Sequence, residues 1–233
     1  MIPSAMNAYV QEIVNSFEPY SNSENAIPMA NYMKNISEFL GIKAPQRKEM
    51  KKQFIKRYGW PPEEILEESI RQLWELPYRE YQYFAMEILD KFAKNAPKER
   101  IVLYEFLILN KSWWDTIDYI APHLLGSYFK IYPEQIHSFT SKWINSENIW
   151  LQRSAILFQL KYKKDTHLEL LYSIIERLMG SKEFFINKAI GWILREYSKI
   201  NPNEIQTYVD THPELSNLSK REALKVIERK TNT

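Results

Sequence analysis

Two adjacent tryptophans, Trp113 and Trp114, sit in the run Lys111, Ser112, Trp113, Trp114, Asp115, Thr116, Ile117, Asp118, and a carboxylate follows the second of them by one helical turn. Residues four apart share a helix face, so Trp114 and Asp118 can form one patch, an aromatic plane beside a negative charge. Such a patch suits a bound cation or a cationic transition state. Ser112 and Asp115 have the spacing of an N-terminal capping box, which gives Asp115 a structural task and no catalytic one. Asp118 lies beyond the capping positions and has no cation three or four residues away to pair with along its helix. A solvated acid is the plain reading of such a residue. Core packing is the plain reading of both tryptophans, yet of two neighbours on a helix usually one faces inward and the other needs a different reason.

Two later runs carry similar chemistry. In 146–153, Ser146 reads as an N-cap, and Arg153 follows Trp150 by three residues. An arginine fork matches a phosphate with two hydrogen bonds, and an ion pair with another helix is the alternative. In 181–195, Ser181 reads as an N-cap, and Arg195 follows Trp192 by three residues, so cation and ring share a face. Gly191 in mid-helix costs about 1 kcal/mol relative to alanine. It is easier to understand if something approaches the backbone closely beside Trp192. Phe184 and Phe185 read as core.

The elements that hold these residues read as helices throughout. Apolar residues recur at three- and four-residue spacing, and alternating strand patterns are nearly absent. Pro45, Pro61, Pro62, Pro77, Pro97, Pro133 and Pro202 stand at or just before the start of a helical pattern, whereas Pro122 is expected to split its stretch into two shorter helices. A faint repeat runs through the chain. Residues 82–86 align with 152–156, and Ala155 and Ile156 align with Ala189 and Ile190 at a step of 34 residues. In the same frame Trp114 falls on Trp150 and then on Phe184. Helix pairs of this period predict an all-α fold, a curved α-solenoid of HEAT-like helical-pair repeats with a concave binding groove. The three runs occupy corresponding places in successive repeats, so their helices should lie side by side.

The 233 residues suffice for a substantial core, and the whole span 1–233 is read as one domain. With no cysteine there is no disulfide, no thiol nucleophile and no cysteine-based zinc site, which fits a reducing cytoplasm. The four histidines are scattered without ligand spacing, so no metal and no cofactor are expected. No leader peptide is apparent at the N-terminus, and the apolar run 101–109, interrupted by Glu105, is too short to span a bilayer. A net charge of +2 names no partner, but its distribution is uneven. Seven basic residues and one acid occupy 43–57, followed by Glu63, Glu64, Glu67 and Glu68. That separation suggests one basic and one acidic surface, with a solvated helix face as the simpler reading.

The segments 29–35, 39–42, 111–115 with Asp118, 148–163, 181–185, 188–192, 194–197 and 218–223 together make the chain similar to the AlkD-type DNA alkylation repair glycosylases, bacterial proteins built from HEAT-like repeats. The resemblance covers nearly the whole chain. It implies excision of positively charged N3- and N7-alkylated purines, such as 3-methyladenine and 7-methylguanine, from duplex DNA. It implies Asp118 as the catalytic aspartate, Trp114 and Trp192 as the tryptophan pair around the lesion, and Tyr32 as a further pocket residue. It places a DNA-backbone arginine at Arg153 and further basic positions at Lys161 and Arg195. The chain departs from the family pattern around Lys43 and Ala44, where relatives carry uncharged polar residues. A monomer acting on duplex DNA is expected. The alternative is a non-catalytic helical-repeat module that binds DNA or a protein partner.

Overall fold

The computed structural model describes residues 6–231; residues 1–5 and 232–233 of the expected single-domain span, including the first positions of the leader-peptide reading, lie outside the described residues. The chain clusters into two compact units, Met1–Phe92 and Ala93–Thr233. Both are helical, and among the described residues strand pairing is limited to a single bridge between Glu38 and Tyr78. The all-α helical-repeat architecture expected from the periodicity is therefore the one the chain adopts. No helix of the described residues is long and apolar enough to cross a membrane.

The first unit comprises α1 (Ala8–Phe17), α2 (Ser23–Tyr32), α3 (Ala44–Tyr58), α4 (Glu63–Glu75) and α5 (Arg79–Phe92). On α4, Leu66, Ile70, Leu73 and Trp74 form the buried stripe. The 40–42 turn is latched to α5 by Glu80, whose fully buried carboxylate accepts from the backbone N–H groups of Leu40, Gly41 and Ile42 at 3.0, 2.9 and 3.0 Å. Gly41 sits at φ +88°, and a β-carbon there would lie 2.0 Å from the Asn22 carbonyl oxygen, so only glycine fits.

The second unit comprises α6 (Arg100–Leu109), α7 (Trp114–Tyr119), α8 (Gly126–Ile131), α9 (Ile136–Ile144), α10 (Ile149–Leu157), α11 (Leu168–Leu178), α12 (Phe184–Ser198), α13 (Pro202–Thr211) and α14 (Asn217–Thr231). The helix pairs repeat a packing device. Gln82 of α5 donates its amide to the carbonyls of Leu73, Trp74 and Leu76 at the end of α4, at 3.1, 3.0 and 2.9 Å. Gln152 of α10, its counterpart in the sequence repeat, donates to Ile144 and Ser146 at the end of α9, at 3.3 and 2.7 Å. The last carbonyls of a helix lack intrahelical donors, and in both pairs the second helix supplies one.

The structure corrects several local expectations. Pro122 does not split its stretch. A π-helical segment, Ile120–Leu125, joins α7 to α8 without a break. Proline lacks an N–H and crowds the carbonyl four residues back, which here belongs to Asp118; widening the turn relieves that conflict. The three expected serine caps are also displaced. Ser112 donates to Ile108 O at 2.5 Å and Ser146 to Trp143 O at 2.6 Å, so each finishes the preceding helix. Asn148 caps α10 instead, accepting from Trp150 and Leu151 N–H at 2.9 and 3.1 Å. Ser181, three residues ahead of α12, accepts from Glu183 N–H at 3.1 Å.

Candidate functional site

α10 packs against both α7 and α12, so the three runs do lie side by side. Their first turns meet in an aromatic cluster. Trp113 precedes α7 in an extended conformation, φ −156° and ψ 166°. Its ring lies 5.6 Å from that of Trp150 and 5.3 Å from that of Phe185, and Trp150 and Phe185 are 5.0 Å apart. Trp113 is thus the inward member of the pair. Its buried indole N–H has no hydrogen-bond acceptor among the described residues, and the ring stands nearly edge-on to Phe185. Trp114 opens α7 and is half-buried, one turn before Asp118.

Asp118 is not the solvated acid of the plain reading. Its side chain is 19% exposed, and Arg153 of α10, 3% exposed, grips it with both arms of the fork: Nε to Oδ1 at 2.8 Å and Nη2 to Oδ2 at 3.0 Å. The remaining arm, Nη1, donates to the Phe185 carbonyl at 2.5 Å. The fork expected to take a phosphate is therefore occupied by a carboxylate and a helix-start carbonyl. Burial pushes the Asp118 carboxyl above its ordinary value, and the Arg153 hydrogen bonds and charge oppose that shift without cancelling it.

Beyond Asp118, Tyr119 stacks on His123 with ring centroids 4.2 Å apart and planes 1° from parallel. Lys161, exposed, brings its ammonium 2.7 Å from His123 Nε2. An ammonium only donates, so Nε2 is the acceptor in this contact. On α12, Trp192 lies seven residues after Phe185, two turns along the same face. It is half-buried and, among the described residues, stacks on no other ring. Arg195, one turn further, donates to Glu222 of α14 at 2.5 Å, and Lys188 reaches the same carboxylate at 2.7 Å. Those two cations hold the Glu222 carboxyl below its ordinary value, the Lys188 hydrogen bond contributing most. Gly191 marks the close approach expected of it: a β-carbon there would lie 2.5 Å from Glu222 Cβ and 2.8 Å from Ser219 O, so α14 is what comes near. Tyr32 ends α2 in the first unit and is 71% exposed.

The second unit thus joins Asp118 and Arg153 directly, carries Trp114 one turn before Asp118 on the same helix, and places Trp192 on the helix that receives Arg153. Sequence reasoning passed over the Asp118–Arg153 pair and the roles of His123 and Glu222. The signal was present in the separations: Asp118 to Arg153 is 35 residues and Lys188 to Glu222 is 34, one repeat in each case. Chemically, an oriented, poorly hydrated carboxylate can stabilise a positive centre and align a water.

Residues 13–227 match the model of a family described as DNA alkylation repair enzyme. The fold is similar to that of a predicted DNA alkylation repair enzyme from Enterococcus faecalis, with 34% identity, a TM-score of 0.80, and 88% of this chain and 95% of that one covered. It is also similar to smu.31 from Streptococcus mutans UA159, with 15% identity, a TM-score of 0.59, and 84% and 97% covered; at that identity only the fold is shared. No functionally curated protein matches the chain.

Proposed function

Since the chain belongs to the DNA alkylation repair enzyme family, we propose that it is a monofunctional DNA glycosylase that hydrolyses the N-glycosidic bond of cationic N3- and N7-alkylpurines in duplex DNA and leaves an abasic site. Membership supports DNA repair and DNA binding. The observation that supports the finer reading is the Asp118 carboxylate, largely buried and held by both arms of the Arg153 fork.

Glycoside hydrolysis ordinarily uses two carboxyl groups, one of them to protonate the leaving group. An alkylpurine cation already carries that positive charge, so it departs without a general acid. What remains is to stabilise an oxocarbenium-like sugar and direct water to it, and one ionised carboxylate serves both ends. Trp114 and Trp192 offer ring faces to the cationic nucleotide, worth about 0.5–2 kcal/mol each. Undamaged purines are neutral and poor leaving groups, so the same site spares them. The exposure of Tyr32 and Lys161 is consistent with contacts to DNA. Arg195 competes between phosphate and Glu222, and Arg153 serves DNA by fixing Asp118.

The test is release of free base from duplex DNA containing 7-methylguanine, with wild type and Asp118→Asn compared directly. We expect release by the wild type, a loss of two or more orders of magnitude in the variant, and similar DNA affinity for both. A non-catalytic helical-repeat module is the second reading, favoured by taking the Asp118–Arg153 pair as purely structural; it predicts DNA or protein binding with no release by either form.

A further inference from the structure

The turn that follows α10 and the C-terminal half of α12 enclose a cavity of about 300 Å³, at the lower end of the range for small-ligand sites. Its floor is aliphatic, formed by Leu160, Ile193 and Ile200. One wall is Tyr197, half-buried, whose hydroxyl makes no hydrogen bond and whose ring stacks on no other ring among the described residues. Lys161, Lys163 and Lys199 stand at the cavity, with Glu196 as its acid. Lys199 is matched by Glu196 at 2.6 and 2.7 Å, which leaves Lys161 and Lys163 in excess.

The turn is built to stay in place. Gln159 is buried and closes it at both ends, accepting from His167 N–H at 2.8 Å and donating to His167 O at 3.4 Å. Lys163 adopts φ +55°, a left-handed conformation that β-carbon sterics disfavour, and Thr166 Oγ1 pins its carbonyl at 2.7 Å. The result is an exposed ammonium with no partner among the described residues.

An apolar floor with an aromatic wall calls for a flat, weakly polar body, and two ammonium groups without an anionic partner, Lys161 on the His123 ring nitrogen and Lys163 on no side chain, call for an anion attached to it. We infer that this cavity binds one nucleotide unit, its base against Tyr197 and the aliphatic floor, and its phosphate between Lys161 and Lys163. The site is distinct from Asp118 and shares only Lys161 with the proposed DNA contacts. The ligand has two sources, a free nucleoside monophosphate or an unpaired terminal nucleotide of bound DNA.

Calorimetry on the full chain with adenosine 5′-monophosphate, adenosine and inorganic phosphate addresses the chemistry. A DNA duplex with a one-nucleotide overhang, compared with its blunt form, addresses the source. If the free nucleotide is the ligand, the monophosphate binds at least tenfold tighter than adenosine or phosphate, and Lys163→Glu and Tyr197→Ala each remove that gain while Tyr197→Phe keeps it. If DNA supplies the nucleotide, the overhang strengthens binding and Lys163→Glu removes the difference. A monophosphate no tighter than phosphate together with no overhang advantage overturns the inference, as does any advantage that survives Lys163→Glu. Base release from methylated DNA by Lys163→Glu should equal that of wild type, so failure here leaves the glycosylase reading untouched.

Discussion

Burial opposes ionisation of Asp118, and the Arg153 hydrogen bonds and charge favour it. Removing one partner of a buried pair leaves the other uncompensated, at about 3–5 kcal/mol. Arg153→Ala should therefore lower stability by that order in chemical denaturation and reduce base release at least a hundredfold. Arg153→Lys restores charge but not the two-armed grip and should recover stability better than rate. A variant with wild-type release would remove the pair from the mechanism. The pH dependence has a defined sign. The carboxylate form is the working one, so release should fall on acidification, with a midpoint above the ordinary 3.8 of an aspartate. Ionised Asp118 costs stability, and that cost is relieved as pH falls through its raised pKa toward 3.8. Activity should thus decline on acidification while this group's contribution to stability rises, which a rate profile and a stability profile measured together will test. Trp114 and Asp118 were legible in the sequence because helical spacing is local. Arg153 was recognised as a fork, but its partner lies a full repeat away, and a search limited to one helix could not reach it.

The α12–α14 contact shows what helical patterning conveys and what it omits. Gly191 announced a close approach, because glycine in mid-helix needs a reason; which element approached depended on contacts far apart in the chain. Gly191→Ala gains about 1 kcal/mol of helix propensity, yet its new methyl meets Ser219 O at 2.8 Å, a backbone atom that cannot swing aside. Overpacking of this kind costs about 1–3 kcal/mol, so the variant should be destabilised in thermal denaturation. Gly180→Ala is the control, since nothing lies within 4 Å of its added carbon; it should be neutral. Glu222 ties the same two helices through Lys188 and Arg195, and its sign is opposite to that of Asp118. Its lowered pKa contributes stability above the ordinary 4.5 that is lost as pH falls through the folded value. Glu222→Gln should flatten the acid limb of the stability profile. Helix starts were less legible than helix faces. Ser112 and Ser146 stand in short links where one hydroxyl can end a helix or begin the next, and sequence spacing does not say which carbonyl is nearer.

For the molecule as a whole, a net charge of +2 supplies little long-range attraction to DNA, so affinity must come from where the cations stand. On α3, Arg47 and Lys51 are committed to Glu87 at 3.6 and 2.9 Å, and the Arg47 guanidinium also lies 4.7 Å from the Tyr83 ring centroid. Lys48, Lys52 and Lys56 differ: they are exposed, spaced four apart along one helix face, and without an anionic partner among the described residues. The basic run therefore contains two cations that build the first unit and three along one face, the open half, that stand in solvent. If the open half meets phosphates, each contact releases counterions and steepens the salt dependence by about 0.9 in log–log slope. Replacing Lys48, Lys52 and Lys56 together by glutamine should then weaken duplex binding and reduce that slope by about 2–3, with Lys161→Gln reducing it by about 1. Arg153→Ala should leave the slope nearly unchanged, because its fork faces Asp118. Fluorescence anisotropy across a salt series, on undamaged duplex so that no turnover intervenes, distinguishes the cases. A triple variant with the wild-type slope would make the α3 lysines a solvated face and leave the second unit's cations to carry the electrostatic part of DNA binding.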